Sequence, residues 1–253
     1  MIANYHTHTP RCNHATGSER EYVEAALQAG LQILGFSDHS PCVFPGDYVS
    51  WHRMKLEELE DYVTAVLALR EEYKDRIQIP LGLELEYFPG LMPQLLPILR
   101  EQPIDYLLLG QHFLGDEIGE PYCGHATDDK KILERYCDQT IEGMQTGLFL
   151  YLAHPDLIYF TGDDHTYRNQ VRRICREAKG CGMPLEWNLL GQCIGRNYPD
   201  MRFWEMAAEE GCDVILGWDA HAPNSMGNTA ALEFAQDAIR RLDMHLLDTV
   251  PIG

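Results

Sequence analysis

The side chains best suited to chemistry are histidines and carboxylates, and they recur directly after short apolar runs: His6-Thr7-His8, Asp38-His39, Glu84, Gln111-His112, His154-Pro155-Asp156 and Asp219-Ala220-His221. Neutral imidazoles and carboxylates are ligands for zinc, and carboxylate-rich sets also take manganese or iron. Two positions apart on an extended strand, His6 and His8 project to one side and can chelate one ion together. The set contains no cysteine, which argues for an open catalytic site over a closed structural zinc site. A lone histidine at a strand end is usually a hydrogen-bonded structural residue. Six strand ends with the same chemistry, beside strand interiors that stay apolar, point to metal.

Such residues act together only if the surrounding elements bring them to one place. Apolar runs at 2–5, 33–37, 77–83, 106–109, 149–153, 183–187 and 214–217 read as seven strands. Segments 18–29, 55–73, 131–146, 167–179 and 202–210 carry apolar residues at helical spacing, and Gly30, Gly180 and Gly211 follow three of them where a helix C-terminus favours positive φ. Strands alternating with helices imply a parallel sheet. In a β/α barrel, residues at the C-terminal strand ends converge on one face. An open doubly wound sheet fits the same alternation, and periodicity does not choose between the two. The sixth run ends in Glu186-Trp187-Asn188, without a histidine. Glu86, two residues beyond Glu84, shares its side if that strand continues, and Asp156 reads as a turn or supporting residue. His52, His125, His165 and His245 fall in loops or near the C-terminus and read as solvated or structural. The irregular stretches 40–54, 114–130 and 189–200 are candidate lids or substrate loops.

A chain of 253 residues, 45% hydrophobic and 23% charged, can bury one core, and residues 1–253 are expected to form a single domain. The formal net charge of −19 repels a phosphate backbone and disfavours long nucleic acid as a partner. Bound metal ions would still supply local positive charge for a small anion. No run of about 18 apolar residues suggests a membrane span. Met1–Tyr5 leads directly into the polar histidine segment, so a cytoplasmic protein is expected. The eight cysteines, at 12, 42, 123, 137, 175, 181, 193 and 212, form no Cys-x-x-Cys pair and are expected to be free and mostly buried.

Tyr5–Thr9, Cys12–Gly17, Ser37–Ser40, Gly82–Glu84, Gly110–Phe113, Ala153–Asp156 and Trp218–Pro223, taken in order, resemble the PHP (polymerase and histidinol phosphatase) superfamily over nearly the whole chain. The histidinol-phosphate phosphatase branch is the nearest match. This resemblance implies an α/β fold, a distorted seven-stranded (β/α)7 TIM-like barrel, with three divalent metal ions (Zn, Mn or Fe). By motif position, His6, His8, Glu84 and Asp219 would hold the first ion. Glu84, bridging, would hold the second with His112 and His154, and His14, His39 and His221 would hold the third. Gln111 stands where that branch more often has serine, and so does Trp218, before Asp219.

The implied activity is phosphomonoester hydrolysis of a small phosphorylated metabolite, foremost L-histidinol phosphate. Paired ions lower the pKa of a shared water for in-line attack on phosphorus. Arg196, in the loop Gly191–Tyr198, is the candidate catalytic and substrate-binding cation for the phosphoryl oxygens, with Arg11 a second substrate-binding candidate. Asp38 would orient a ligating histidine or protonate the leaving alkoxide. The same residues leave room for another small phosphoester or nucleotide, for a C–N hydrolase of amidohydrolase type, and for a non-catalytic metal-binding module.

Overall fold

The structure, a computed structural model, describes residues 1–252. Seven strands pair in parallel: β1 (Ala3–Asn4), β2 (Ile33–Leu34), β3 (Gly82–Leu85), β4 (Tyr106–Leu109), β5 (Tyr151–Leu152), β6 (Leu185–Asn188) and β7 (Asp213–Gly217). β3 to β7 run in sequence order, while β1 and β2 form a separate pair. Isolated bridges link the two sheets at both seams. Phe36–Leu81 and His39–Glu84 join the continuation of β2 to β3, and Thr7–Ala220 joins the continuations of β1 and β7. At the second seam His8 N donates to Ala220 O at 3.0 Å and Ala220 N to His6 O at 3.1 Å. The parallel strands follow a TIM-like order in two sheets that only isolated bridges join, so the ring is not closed by continuous ladders. One further short strand, β8 (His245–Leu246), pairs with Asp213 and Val214 at the start of β7 and was not foreseen from the sequence.

The helices are α1 (Glu19–Gln28), α2 (Leu59–Tyr73), α3 (Met92–Arg100), α4 (Lys130–Gln145), α5 (Asp164–Cys181), α6 (Leu189–Ile194), α7 (Met201–Glu209) and α8 (Thr229–Arg241). Their starts follow local capping chemistry. Ser18 and Glu21 make a reciprocal capping box before α1, and Asp129, Asp163 and Asp200 each accept a backbone N–H at the start of α4, α5 and α7. α5 buries Tyr167, Val171, Ile174, Cys175 and Ala178, one stripe at three- and four-residue spacing, and packs on α4 and α7. α3 is absent from the sequence-based reading because Pro93 and Pro97 interrupt its nine residues. Proline in the first turn is compatible with a helix, whereas Pro97 removes an interior donor.

Ala3, Tyr5, Tyr106, Leu108, Tyr151, Ala153 and Ile215 form a buried cluster of their own. They come from β1, β4, β5, β7 and the residues just beyond, and the Tyr5 ring lies 5.9 Å from Tyr106 and 6.4 Å from Tyr151. Strands that are not neighbours touch in this way only across the lumen, so the cluster plugs the barrel. His6, Gly110, His154 and Asp219 follow those plug residues along the chain, which sets the site on top of the plug. All eight cysteines are free, and five of them are buried. Among the described residues no helix is long and apolar enough to cross a membrane.

Candidate metal centre

Glu84, at the end of β3, stands at the middle of the histidines. Its Oε2 lies 3.4 Å from His6 Nε2, 3.6 Å from His8 Nε2 and 3.0 Å from His39 Nδ1. Its Oε1 lies 2.8 Å from His154 Nε2 and 3.7 Å from His112 Nε2. Asp219 Oδ1 is 3.0 Å from His8 Nε2 and 3.4 Å from His6 Nε2. Five overlapping groupings place ligand atoms close enough to share an ion: His6, His8 and Asp219; His6, Glu84 and His154; His8, His39 and Glu84; His14, His39 and His221; and His8, Cys12 and His221.

His6 Nε2, His8 Nε2, Glu84 Oε2, Asp219 Oδ1 and His221 Nε2 are buried without a hydrogen-bond partner. Unpaired buried polar atoms are costly, and here they face one another around common points. That arrangement fits divalent cations, since the donor set is all imidazole and carboxylate.

Behind these atoms, further groups fix the ring orientations. His6 Nδ1 donates to Glu186 at 2.9 Å, and His14 Nδ1 and His221 Nδ1 donate to the backbone oxygens of Cys12 (2.7 Å) and Asp219 (2.9 Å). Asp38, fully buried, faces His8 Nδ1 at 3.4 Å and accepts from His39 N at 2.8 Å and from Thr9 Oγ1. Asn188 Nδ2 spans Asp219 and Glu186 at 3.1 Å each. Such outer carboxylates set which imidazole nitrogen is free to ligate.

Charge is distributed unevenly across the cluster. Burial pushes the Glu84 carboxyl up, but His39, His6 and His112 outweigh it and leave Glu84 well below the usual carboxylate range. Burial, reinforced by His8, lowers His14, and it lowers His221 to about 3; it also carries His39 well down. Burial also lowers His6 and His8, but Glu186, Asp219 and Asp38 outweigh it and hold both well above the ordinary imidazole range, so the cluster divides into rings that favour a proton and rings that favour the neutral form with a free lone pair.

The strand ends pay for this crowding in backbone geometry. A Cβ built on Gly110 would overlap the Glu84 carboxylate, and one on Gly217 would overlap that of Glu186. His154 (φ 30°) and Asp219 (φ 47°) occupy the left-handed region, where non-glycine residues cost about 1–3 kcal/mol.

A cavity of about 790 Å³ opens over the cluster, lined on its floor by His14, His39, His112, Asp219 and His221. Arg196 is on its wall, with Nη1 donating to the Tyr122 hydroxyl at 2.9 Å. Arg11 is not on that wall. It pairs with Glu19 and, at 2.6 Å, with Asp61. Asp38 does not reach the cavity either, and its place behind His8 suits an orienting group and not an acid for a leaving group. His52 and His125, expected in solvated loops, line the wall. His245 is exposed beside Asp213, and Asp156 accepts from Trp204 Nε1 (2.9 Å) and Asp200 N (2.6 Å) as a supporting residue. Glu186 went unread as a functional residue. A carboxylate inside an otherwise apolar strand was its signal, because a buried charge requires a partner.

Comparison with known proteins agrees with this architecture. A family profile described as "PHP domain" matches residues 4–189. The chain is 32% identical to "Probable histidinol-phosphatase" of Deinococcus radiodurans, over 89% of this chain and 88% of the relative. It is 29% identical to "Histidinol-phosphatase" of Bacillus subtilis, over 88% of this chain and 94% of the relative. Among solved structures, histidinol phosphate phosphatase from Lactococcus lactis, in complex with zinc, L-histidinol and phosphate, superposes with a TM-score of 0.75 at 20% identity, covering 98% of this chain and 96% of that one. The chain belongs to the PHP domain family.

Proposed function

We propose that this protein is a metal-dependent phosphomonoesterase that hydrolyses L-histidinol phosphate to L-histidinol and phosphate. The observation that carries this reading is the group of buried, unpartnered imidazole and carboxylate atoms beneath a cavity of metabolite size. The names of the relatives supply the substrate.

His6, His8, Glu84, Asp219, His112, His154, His14, His39 and His221 would hold three divalent ions, Glu84 being shared between two of them. Ions held there would polarise the phosphoryl group and ionise water near neutral pH. Arg196 meets the phosphoryl oxygens from the cavity wall and offsets the charge they gain as the ester bond breaks. The Tyr122 hydroxyl and the Tyr198 ring, 6.0 Å from the guanidinium, hold that arginine in place. Asp38 and Glu186 keep His8 and His6 in the tautomers that leave Nε2 free. Phe113, Trp51 and Tyr122 give the leaving group a flat apolar wall and limit the water around it.

Phosphate release from the metal-loaded protein, compared among L-histidinol phosphate, an aryl phosphate and a set of nucleotides, tests the substrate. A preference for L-histidinol phosphate of about tenfold or more in kcat/KM, abolished by His8→Ala, is expected. Turnover of nucleotides alone would overturn the assignment of substrate, and no turnover of any phosphate would overturn the assignment of reaction.

A further inference from the structure

Arg53 is fully buried, yet none of its contacts is to the clustered histidines. Its Nη2 donates to Glu86 Oε1 at 2.6 Å and to Glu117 Oε2 at 2.7 Å, and its Nε reaches the same Glu117 oxygen at 2.9 Å. The guanidinium lies 5.9 Å and 5.8 Å from the ring centres of Phe44 and Phe88, while Nη1 donates to Ser40 O at 3.4 Å. Burying a cation between two carboxylates is expensive unless close pairing and further hydrogen bonds offset the lost hydration, and Arg53 has both.

Each carboxylate leads to a different part of the site. Glu86 Oε2 accepts the backbone N–H groups of His112 (2.9 Å) and Phe113 (2.8 Å), and Glu86 Oε1 stands 3.6 Å from His112 Nδ1. Glu86 therefore fixes the turn that aims His112 at Glu84. Glu117 lies 2.9 Å from His52 Nε2, and the His52 ring stacks on Phe113 with centroids 5.1 Å apart. His52 and Phe113 both line the cavity. The neighbouring residue Met54 also donates its N–H to His39 O at 3.4 Å.

We infer that Arg53 is a positioning residue that fastens the substrate-cavity wall, through Glu117, to the metal-facing histidine His112, through Glu86. The inference rests on the metal-site reading above. The guanidinium gives Glu117 a second bond, from Nε, which a single ammonium nitrogen does not reproduce, so lysine weakens the Glu117 arm more than the Glu86 arm. Glu117→Gln keeps the Glu86 arm and loosens the wall alone.

The test uses full-length, metal-loaded wild type, Arg53→Met, Arg53→Lys and Glu117→Gln. Each is dialysed against a fixed concentration of chelator, its retained metal is counted by mass spectrometry, its KM and kcat are measured with p-nitrophenyl phosphate, and its thermal unfolding is recorded. Arg53→Met is expected to lose about one metal equivalent and to raise KM by about tenfold or more. Arg53→Lys regains metal retention more than it regains KM, and Glu117→Gln raises KM with its metal kept. A folded Arg53→Met with wild-type metal content and KM overturns the inference. If Arg53→Met does not fold, an unchanged KM in Glu117→Gln overturns it. Wild type that binds no metal would sink the metal-site reading itself, whereas wild type that binds metal beside unaffected variants would sink only this coupling.

Discussion

Glu84 and its surroundings show how tightly single residues are constrained here. Its two oxygens face five imidazoles, and Gly110 has no side chain because that space is taken by the carboxylate. Gly110→Ala is therefore expected to displace Glu84 and abolish phosphatase activity while far-UV circular dichroism stays close to wild type. Glu186→Gln removes the carboxylate that sets the His6 tautomer, and should lower metal affinity or activity by about 10–100-fold, read by competition with a chelating dye. At this scale the sequence was informative where chemistry is local: a histidine or carboxylate after an apolar run is visible in one dimension. Glu186 and Arg53 were not legible as functional, and Glu86 only as a neighbour of Glu84, because their meaning lies in partners dozens of residues away. The pairing of Arg11 with Asp61, fifty residues on, was invisible in the sequence for the same reason.

Among the elements, the strands and most of the helices were legible from apolar periodicity and caps, while the closure of the ring was not. β1 and β2 are two residues each and meet their other neighbours through isolated bridges, so no periodic signal marks the seams. The segments around 40–54 and 114–129 carry no regular pattern, and they are joined by Arg53 and Glu117. Burial pushes the Glu117 carboxyl up, but His52 and Arg53 together bring it down to about 2. A carboxyl with a depressed folded pKa adds stability above its unfolded value, and that stability is lost as pH falls through the folded one. The unfolding midpoint of wild type should thus exceed that of Glu117→Gln above about pH 4.5, with the gap closing toward about pH 2. A gap that is constant across this range would show that the carboxylate contributes nothing as a charge.

For the whole molecule, a net charge of −19 surrounds a site built to take cations, and the two facts belong together. Carboxylates and unpartnered imidazoles concentrated at the barrel mouth are left facing one another when no ion is held, so ligand binding and folding stability are linked. Removal of metal by a chelator should lower the unfolding temperature. Readdition of zinc or manganese should restore it, by about 2.7 kcal/mol when free metal is a hundredfold above its Kd. The central claim is that ions held by these nine residues hydrolyse a phosphomonoester. It is tested most directly by titrating chelator-treated protein with zinc while following phosphate release from L-histidinol phosphate. The account predicts no turnover without metal and activity that rises to a plateau at about three equivalents of zinc, with His8→Ala inactive throughout; full turnover in excess chelator would contradict it.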